Sequence, residues 1–417
     1  MIDALGMIDG SGPAGGEGMR SSARTAVPGP GTPGPLAMAH EVYSGCRSSL
    51  HPQVDVVVVG GGPAGLAAAI AARQHGLGVT VVDAARPPID KACGEGVMPN
   101  GVAALRRLGV AIPPGESMPF RGIRFVGPEH AVDAHFQHDT GLGVRRLTLH
   151  RVLVERAEGL GVKLVWGRPV RGLTKDGVSL GEATIACRWI VGADGATSRV
   201  RRWAKLGGVT TPQRFGFRQH YDVSPWSDMV EVYWCEGAEV FVTPVAPRSV
   251  CVAVISRDRN LRLRALFETC PVLASRLGQV PTTSRERGVP SGSHRLRRVT
   301  RGRVALVGEA SGSLDGTTGE GLSVLFQEAL ALGKALAAND LASYEVAHRR
   351  LRRNPALMSR LLLAMDRSAW LRRRGLRALA ADRSLFSRLL AVHVGLPVSF
   401  RHAARSLCAL GGRFLIA

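Results

Sequence analysis

The sequence lacks several features that would place the protein in common functional classes. No run of about 18 apolar, uncharged residues occurs, which is the length that a membrane-spanning helix needs, so we expect no segment to cross a membrane. The first 50 residues contain no apolar stretch that could form the core of a signal peptide. Aromatic residues are scarce at 5%, and neither zinc-ligand spacing nor an RNP-like aromatic motif is present. These absences argue against nucleic acid as a partner.

The seven cysteines are scattered, and no two of them form a C-x-x-C motif; they lie at positions 46, 93, 187, 235, 251, 270 and 408. An odd number of dispersed cysteines is typical of reduced thiols, and it argues against a disulfide framework or a structural metal site. We therefore expect a cytoplasmic protein without a bound metal ion.

Lysine is also rare, since only five occur in 417 residues and the net charge of +21 comes almost entirely from arginine. One explanation is a solvated basic surface that reflects genomic codon bias. The other is attraction to an anionic partner, either a lipid surface or a phosphorylated substrate.

Residues 1–50 are dominated by Gly, Pro, Ser and Ala, and we predict that this segment is disordered. The remaining chain is long enough for two or three domains. Its hydrophobic content, 45% over the whole sequence, is ordinary for a globular protein.

One stretch near the start of the organised chain carries the motif around which the rest is arranged. An uninterrupted β-branched run, residues 55–59, is typical of a strand buried in a parallel sheet. The sequence then has Gly60-x-Gly62-x-x-Gly65, a helical run, a second strand and Asp83. In such a unit the glycines allow a tight turn, close approach to a pyrophosphate and close helix packing, and the acid binds ribose hydroxyls. The pattern therefore predicts dinucleotide binding.

A second glycine-rich segment, Cys93-Gly94-Glu95-Gly96, precedes a helix predicted at about residues 100–108. Its glycines permit the backbone to approach a flat ligand closely. Three roles are open for Cys93: an ordinary small apolar residue, a contact to a cofactor ring, or a redox thiol without a visible resolving cysteine.

Two further glycine-rich turns follow predicted strands. The first, G-A-D-G-x-x-S at residues 192–198, connects a strand to the start of a helix. The second combines G-E-A-x-G at residues 308–312 with T-G-E-G at residues 318–321, and a long apolar helix begins near Leu322. The positive end of that helix dipole favours an anionic ligand at the loop.

The region between these turns has a different character and predicts a second sheet. Short β-rich runs lie at residues 219–223, 229–234, 238–242 and 250–255, separated by Pro225, Gly237, Pro244 and Pro247. Such short runs between turn residues are typical of antiparallel strands. A single helix is predicted after them, at about residues 261–277.

The three glycine motifs resemble those of FAD-dependent oxidoreductases of the glutathione-reductase-like type, in the branch that joins aromatic-ring monooxygenases and geranylgeranyl reductases. The resemblance extends from about residue 54 to residue 335 and depends on the order and spacing of all three motifs. It implies an α/β fold: a Rossmann-like FAD-binding domain with a parallel sheet, interleaved with a second antiparallel-sheet substrate domain and followed by a helical C-terminus. The Cys93-Gly94 loop is similar to the geranylgeranyl-reductase side of the branch.

The implied domain boundaries follow the motifs. Residues 51–210 form the first part of the FAD-binding domain, with inserted hairpins, and residues 301–339 form its last part. Residues 211–300 form the substrate domain between them, and residues 340–417 form a basic helical C-terminal region.

The resemblance also implies which residues bind FAD. In this family the first motif holds the pyrophosphate, the second supports it, and the third places an acid on the ribityl chain, with the following helix facing the flavin pyrimidine edge. The implied cofactor-binding residues are Gly60, Gly62, Pro63, Ala64, Gly65, Asp83, Cys93, Gly94, Arg146, Asp194, Gly195, Glu309, Gly319, Gly321 and Leu322. Arg146 matches an arginine often found beside the flavin, and an exposed arginine at a helix start is the alternative. No catalytic base is singled out by spacing.

The chain departs from the family pattern at two places. Glu309 stands where aspartate is usual, which lengthens the side chain by one methylene, and residues 315–318 replace a segment in which aromatic hydroxylases usually carry a proline. The W-x-W-x-I-P signature of tryptophan halogenases is absent. No second G-x-G-x-x-G motif occurs, so the resemblance implies that NAD(P)H binds only transiently as the hydride donor.

Three functional hypotheses follow from the resemblance. We favour an NAD(P)H-dependent monooxygenase that hydroxylates an apolar small molecule, either aromatic or lipid-like, such as a polyketide or isoprenoid. The alternatives are a flavoprotein that reduces isoprenoid C=C bonds and a non-catalytic flavin-binding protein. An apolar substrate face in the second sheet, or simply its core, is formed by Val230, Val232, Trp234, Val240 and Val242.

The C-terminal region, residues 340–417, contains fifteen arginines and four acidic residues, a net charge of +11. Apolar residues recur there at helical spacing: Leu357, Leu361, Ala364, Met365, Leu376, Leu379, Leu385, Leu389 and Val392. Such a stripe is typical of core packing. A basic amphipathic helix with Trp370 beside arginines is also typical of peripheral association with the inner face of a membrane.

Overall fold

The structure is a computed structural model that describes residues 54–127, 130–210, 214–235 and 237–395. The tail that we predict to be disordered, residues 1–50, lies outside the described residues. Within the described chain, one eight-stranded and one seven-stranded sheet are accompanied by two smaller sheets and by α-helices. No helix in this part of the chain has the length and apolar character that crossing a membrane requires.

In the described ranges the strands are β1 (Val54–Val59), β2 (Val79–Asp83), β3 (Gly96–Val97), β4 (Ser117–Phe120), β5 (Gly122–Val126), β6 (Ala131–His135), β7 (Gly141–Val144), β8 (Lys163–Trp166), β9 (Gly172–Leu173), β10 (Gly177–Ser179), β11 (Thr184–Gly192), β12 (Gly208–Thr210), β13 (Arg214–Tyr221), β14 (Val230–Cys235), β15 (Ala238–Ala246), β16 (Ser249–Ser256), β17 (Arg287–Ser291), β18 (His294–Leu296), β19 (Thr300–Arg301) and β20 (Val304–Leu306). The helices are α1 (Pro63–Gln74), α2 (Pro99–Arg107), α3 (Arg146–Gly159), α4 (Arg199–Trp203), α5 (Leu263–Thr269), α6 (Pro271–Leu277), α7 (Gly321–Ala337), α8 (Leu341–Arg367), α9 (Ala369–Ala381) and α10 (Arg383–His393). Short 3-10 turns lie at Gly308–Ser311 and Gly316–Thr318.

The eight-stranded sheet has a parallel core in the order β20-β11-β1-β2-β8. Its central strand β1 is buried along its last four residues, as a β-branched strand in the middle of a parallel sheet should be. Helices α1, α3 and α7 pack together beside it. The predicted Rossmann-like fold with a parallel sheet is confirmed.

The seven-stranded sheet has the order β17-β13-β16-β15-β14-β5-β6. Neighbouring strands pair antiparallel, as predicted, except β14 and β5, which pair in parallel. Because β5 and β6 precede α3 in the chain, this sheet takes two strands from the segment that we predicted as hairpins inserted in the FAD-binding domain. The two sheets are therefore interleaved in sequence.

Two local predictions are wrong. The helix expected at about residues 261–277 is divided into α5 and α6, because Pro271 begins α6 and has no N–H to continue a helical hydrogen-bond pattern. Pro244 does not separate two strands. It lies within β15 beside a register shift, a position where a strand tolerates proline.

The two faces of the seven-stranded sheet contact different helices. One face packs against α5 and α6 and includes Val240 and Val242. The other face, which we call the inner face, packs against α9 and α10; its apolar residues are Ile123, Phe125, Val132, Ala134, Val230, Val232, Trp234, Phe241, Ala253 and Ile255. The five residues that we predicted to line one apolar face are thus divided between the two, because side chains alternate along each strand.

The C-terminal region is helical, as its pattern predicts, through the end of α10. Its apolar stripe is largely core: Leu376, Leu379, Leu385 and Leu389 are buried against the inner face. Leu361, Ala364, Met365 and Val392 are half-buried. Leu357 and Trp370 are exceptions, with 40% and 53% of their surface exposed. The stripe therefore covers the second sheet, and only its margin faces solvent.

Replacement of Leu385 by Ala should destabilise the protein by about 2–5 kcal/mol, because the side chain is fully buried against the inner face. The matched change at the exposed Leu357 should cost less than about 1 kcal/mol. Urea unfolding followed by circular dichroism measures both free energies. Equal, small effects at the two positions would contradict a core role for the stripe.

Candidate active site

The three glycine motifs meet at one edge of the parallel sheet. The strands that precede them, β1, β11 and β20, are neighbours and end at the same edge because they are parallel. An added Cβ on Gly60 would lie 2.4 Å from the carbonyl oxygen of Ala193, and one on Gly308 would lie 2.6 Å from the Cβ of Ala64. The motifs that are far apart in sequence are therefore in direct contact.

The glycines of the first motif are required for two different reasons. A Cβ on Gly65 would lie 1.8 Å from the Gly60 carbonyl oxygen, so α1 could not approach the loop. Gly62 has an ordinary negative φ, and its added Cβ would meet only one atom within 4 Å, a guanidinium nitrogen of Arg146 at 3.9 Å. The space beside Gly62 is thus open, and α1 begins there without a side-chain cap. This is the arrangement that a pyrophosphate needs.

Asp83 holds the first motif in shape. One carboxylate oxygen accepts a hydrogen bond of 2.6 Å from the Gly61 amide, and the other accepts one of 2.7 Å from the Ala85 amide. Each carboxylate oxygen has a second lone pair, so the predicted contact to ribose hydroxyls remains compatible with these bonds.

His150 is a buried part of the site that the sequence did not suggest. It lies on α3 and donates a 2.9 Å hydrogen bond from Nε2 to the Gly61 carbonyl oxygen. Burial lowers the pKa of His150, so the imidazole is neutral and its remaining proton serves this bond. The amphipathic pattern of α3 does not distinguish it from an apolar core residue.

Arg146 begins α3 and connects two parts of the site. Its backbone amide donates to a Glu95 carboxylate oxygen at 2.9 Å, while its guanidinium lies beside Gly62. The Nε atom of Arg146 is buried without a hydrogen-bond partner in the described structure. A buried guanidinium nitrogen without a partner, next to an open glycine loop, is suited to an anionic ligand.

Asp194 and Glu309, the two predicted acids of the later motifs, have different kinds of partner. Asp194 accepts hydrogen bonds from the Ser198 hydroxyl and from the amides of Arg199 and Val200, so it fixes the start of α4. Glu309 forms an ion pair with Lys91 and is half exposed. Its carboxylate lies 4.0 Å from the Cβ position of Gly195, which places the second and third motifs side by side. A direct contact of either acid with the cofactor remains a prediction.

The loop before α7 is open toward the same edge. Gly319 has a left-handed φ of +63°, and an added Cβ on Gly321 would meet no atom within 4 Å. Helix α7 begins at Gly321 without a side-chain cap, while Leu322 is buried in the core. The first amides of α7 are therefore suited to stabilise negative charge on a ligand.

Glu320, next to these glycines, is fully buried. Burial raises its pKa to about 8, so the carboxyl is largely protonated at neutral pH. His393 of α10 lies 3.5 Å from it and donates from Nε2 to the Thr318 carbonyl oxygen at 3.0 Å. The C-terminal helices therefore contact the third motif as well as the second sheet.

The Cys93 loop lies against the second sheet. The Cys93 sulfur accepts a weak hydrogen bond of 3.4 Å from the Glu95 amide. Burial raises the pKa of the Cys93 thiol, which keeps it protonated and disfavours the redox-thiol alternative. A Cβ on Gly94 would meet nothing within 4 Å, so the backbone there is accessible to a flat ligand. The contact of Cys93 with a cofactor ring remains a prediction.

Glu95 links this loop to β13. It is almost fully buried and has a left-handed φ of +60°, which is strained for a residue with a side chain. One of its oxygens binds the Arg146 amide, and the other lies 2.6 Å from Nε2 of His220. Arg218, also on β13, lies 3.7 Å from the carboxylate. The strained conformation is therefore held by contacts from two other elements.

The His220 contacts assign its tautomer. Arg145, Arg218 and Ser284 all place polar atoms within 3.3 Å of Nδ1, and a guanidinium can only donate. Nδ1 therefore accepts, and Nε2–H donates to Glu95. The ligand atoms of Glu95, His220 and Cys251 lie within 4.8 Å of one another, but the two guanidinium cations that surround Nδ1 disfavour a metal ion there.

The third motif contacts the inner face and the apolar cluster beside it. An added Cβ on Gly316 would lie 2.7 Å from Ile255 of the inner face, and one on Gly319 would lie 3.3 Å from Met98, which precedes α2 and packs in the same cluster. On the inner face β13 carries the charged or polar residues Arg214, Arg218 and His220. The strands on the other side of β16 in the sheet, which are β15, β14, β5 and β6, are mainly apolar there. The site thus has a polar side next to β13 and an apolar side under α9 and α10.

The arrangement fits FAD on this chain's own geometry. Gly62 and Gly321 leave open space at two uncapped helix starts, and Arg146 has an unpaired buried nitrogen beside the first. Asp83 lies at the end of the neighbouring strand, where a ribose binds in such folds.

Comparison with known proteins agrees with this geometry. A family profile described as "FAD binding domain" matches residues 53–341. The menaquinone reductase of Mycobacterium tuberculosis is 28% identical over 324 residues, which are 70% of this chain and 79% of that protein. The rifampicin monooxygenase of Streptomyces venezuelae is 32% identical over 170 residues, 38% of this chain and 34% of that protein.

A flavoprotein/dehydrogenase from Cytophaga hutchinsonii has a similar fold, with a TM-score of 0.73 at 18% identity. The match covers 86% of this chain and 100% of that one. A digeranylgeranylglycerophospholipid reductase of Methanothermobacter thermautotrophicus is 26% identical over 69% of this chain and 77% of that protein. The predicted resemblance to the monooxygenase and geranylgeranyl-reductase branch is confirmed by these matches. The glutathione-reductase-like type stays a prediction.

Replacement of Gly62 by Val should abolish FAD retention while the protein remains folded, because the new side chain fills the open space and its Cβ meets only the flexible Arg146 side chain, at 3.9 Å. We expect FAD affinity to fall by at least roughly 100-fold, or about 2.8 kcal/mol. FAD content is measured by absorbance after denaturation, and folding by circular dichroism of the apoprotein.

The matched control is Gly65→Ala, which should destabilise the fold itself by about 2 kcal/mol or more, because its Cβ meets the Gly60 carbonyl. Normal FAD content in the Gly62 variant would show that the open space is not the pyrophosphate site.

Proposed function

Since the chain belongs to the family defined by the FAD binding domain and is an FAD-dependent oxidoreductase, we propose that it is a monooxygenase that hydroxylates an apolar, ring-bearing small molecule. The observation that carries the proposal is the direct contact between the third motif and the inner face, at Gly316 and Ile255. An apolar substrate on the inner face lies next to the cofactor loops.

The chemical character of the inner face supports an aromatic substrate. Phe125 stacks edge-on against Trp234 at a centroid distance of 4.9 Å and contacts Phe386 of α10 at 4.5 Å. Met98, Met358 and Met365 border the same cluster. Methionine side chains are flexible and adapt to ligands of irregular shape, so this cluster can rearrange around a ring system.

FAD, when bound, would supply the redox chemistry of such a reaction, in which NAD(P)H provides two electrons, one atom of O₂ enters the product and the other becomes water. The chain's own residues position and shield this reaction. Gly62 and Arg146 would hold the pyrophosphate, and the first turn of α7 would stabilise negative charge on the flavin. Helices α9 and α10 exclude water from the inner face, which limits loss of reactive oxygen species to solvent.

The hydride donor is proposed to bind transiently. The described parallel sheet contributes one glycine-motif βαβ unit, β1-α1-β2, and the open space beside Gly62 supports its use by FAD. NAD(P)H is therefore expected to reach the flavin without a nucleotide-binding domain of its own.

The purified enzyme, given NADPH and an apolar phenol such as 2-naphthol, should consume oxygen and release a product that is heavier by one oxygen atom. Mass spectrometry after reaction under ¹⁸O₂ should show the heavy isotope in the product, with the flavin-free Gly62→Val variant as control. A product labelled from water, or NADPH oxidation that yields only hydrogen peroxide with all phenols tried, would contradict hydroxylation of this substrate class.

Reduction of a C=C bond is a second candidate, favoured by a specific observation. The relative named menaquinone reductase aligns over 79% of its length, whereas the monooxygenase relative aligns over 34% of its own. In that case the inner face holds an isoprenoid chain. The two functions differ in their need for oxygen, because a reductase yields a product heavier by two hydrogen atoms under anaerobic conditions.

We also propose that the basic C-terminal helices bring the enzyme to an anionic membrane surface, where an apolar substrate collects. Trp370 and Leu357 are exposed at the margin of α8 and α9, and the Arg374 guanidinium stacks 4.9 Å from the Trp370 ring centroid. Arg373 and Arg377 are exposed beside them. Exposed aromatic and basic side chains together are typical of an interfacial helix.

Co-sedimentation with anionic phosphatidylglycerol vesicles at low salt should detect this association, and high salt or zwitterionic vesicles should remove it. Arg373→Ser should weaken binding by roughly fivefold, since one basic residue near the surface contributes about 1 kcal/mol. The charge-matched control Arg264→Ser, on α5 at the other side of the sheet, should bind normally. If the protein does not bind anionic vesicles at low salt, these helices have a structural role only.

A further inference from the structure

Three buried side chains on the inner face have polar atoms that lack a hydrogen bond. Glu239 is fully buried, and neither of its carboxylate oxygens has a hydrogen-bond partner of good geometry among the described residues. The same holds for the indole N–H of Trp234 and for Nε of Arg214. The polar neighbours of Glu239 are the Thr317 hydroxyl and the Arg214 guanidinium. Buried polar atoms are nearly always paired in folded proteins, so a cluster of four unpaired ones on three side chains requires an explanation.

The register of the sheet places these groups together. Trp234 on β14 is the cross-strand partner of Glu239 on β15, and both belong to the inner face. Ile255 is the partner of Glu239 on the other side. The Arg214 guanidinium lies 3.3 Å from a Glu239 oxygen. Glu239 therefore has an aromatic and an aliphatic neighbour and a single charged partner on the sheet.

The cluster is also in contact with the third motif. Arg214 binds Asp315 with its other terminal nitrogen, at 3.0 Å, and Asp315 accepts a hydrogen bond from the Thr317 amide. Asp315 directly precedes Gly316, whose added Cβ would lie 2.7 Å from Ile255. Glu239 is thus located where the cofactor loop and the inner face meet.

The surroundings of Glu239 bring the pKa of its carboxyl group close to neutral pH. Burial raises the pKa of Glu239 to about 7, while Arg214 and the Thr317 hydroxyl oppose this and Asp366 and Asp315 add to it. Asp366, on α8, is itself paired with Arg257. A carboxyl group that titrates near neutral pH in an apolar site is able to exchange a proton with a ligand.

We propose that Glu239, Arg214 and the Trp234 indole form the recognition site for a phenolic hydroxyl on the otherwise apolar substrate, with Glu239 as the base that receives its proton. The proposal deepens the proposed hydroxylation and rests on it. It names the substrate class as an apolar phenol, because a carboxylate, a cation and an N–H donor together match an acidic hydroxyl and not a plain alkene.

The proton transfer conserves charge within the cluster. The substrate O–H bond breaks, the proton binds a Glu239 oxygen, and the electron pair stays on the substrate oxygen. Before and after the step, Arg214, Asp315, Glu239 and the substrate carry the same total charge. The phenolate oxygen then accepts hydrogen bonds from Arg214 Nε and Trp234 Nε1, which are otherwise unpaired. Phenolate is the electron-rich form of a ring that an electrophilic oxygen atom attacks.

The test compares two probes of the same shape on the oxidised holoenzyme, without NADPH, so that it does not depend on turnover. The probes are 2-naphthol and 2-methoxynaphthalene, which differ only in the acidic proton, and binding is followed by the change in flavin absorbance. The wild type should prefer naphthol. Glu239→Gln should lower naphthol affinity by roughly tenfold, the size of one charge-assisted hydrogen bond, and should leave the ether unchanged.

A pH series separates a base from a structural residue. Below pH about 7 Glu239 is protonated and cannot accept a proton, so the preference of the wild type for naphthol should rise as the pH increases through that value. Naphthol itself stays protonated in water over this range. In the Glu239→Gln variant, the preference for naphthol should not change with pH.

Glu231→Gln is the matched control, because Glu231 is also buried on the seven-stranded sheet but points to the opposite face, where Trp226 and Tyr233 donate to it. It should keep both the naphthol preference and the pH profile. The proposal would be overturned if Glu239→Gln lost affinity equally for both probes, or if the wild type did not prefer naphthol. If naphthol preference is present but no oxygen enters a product, the hydroxylation fails and the recognition site stands.

Discussion

The parallel pairing of β1 with β2 and β11, and of β11 with β20, is the constraint on which the rest of the structure depends. Four adjacent strands that run in one direction deliver their following turns to one edge, and each turn carries a glycine motif or the acid Asp83. The contacts between these turns leave little room for side chains, as Gly60 and Gly65 show. Open space remains beside Gly62 and Gly321, and this space distinguishes the edge from a tightly packed junction and is where we propose that the cofactor binds.

Two buried ionic clusters connect this cofactor edge to the second sheet, and both include β13. In one, Arg218 and His220 bind Glu95 of the Cys93 loop; in the other, Arg214 binds Asp315 of the third motif. Removing one partner from such a cluster leaves a buried charge unpaired, which costs several kcal/mol, so the two sheets are held in a defined relation. The inner face, where we propose that the substrate binds, and the cofactor loops are thereby positioned together. We regard β13 as the element that joins binding of the substrate to binding of the flavin.

The sequence predicts the cofactor side of this structure well, because the relevant signals are local. Glycine spacing, a β-branched strand and a following acid lie within one βαβ unit, and the apolar period of α9 and α10 correctly indicates core. The substrate side is not predictable in the same way. Glu95 and His220 are 125 residues apart, and nothing in their neighbouring residues indicates that they meet. Glu239 occupies an alternating strand position like any other, so only the register with Trp234 and the contact with Arg214 reveal its environment. The division of Val230 and Val240 between two faces likewise depends on the register of β14 and β15, which pairs Val240 with Tyr233.

The central claim, that the turns at one sheet edge form a single FAD site, is tested most directly by the flavin stoichiometry of the purified protein. Denaturation of protein from flavin-replete cells should release one FAD per chain, identified by chromatography and absorbance. A folded, colourless protein that takes up no added FAD would contradict the account, because the open space at Gly62 and the unpaired nitrogen of Arg146 would then have no ligand to explain them.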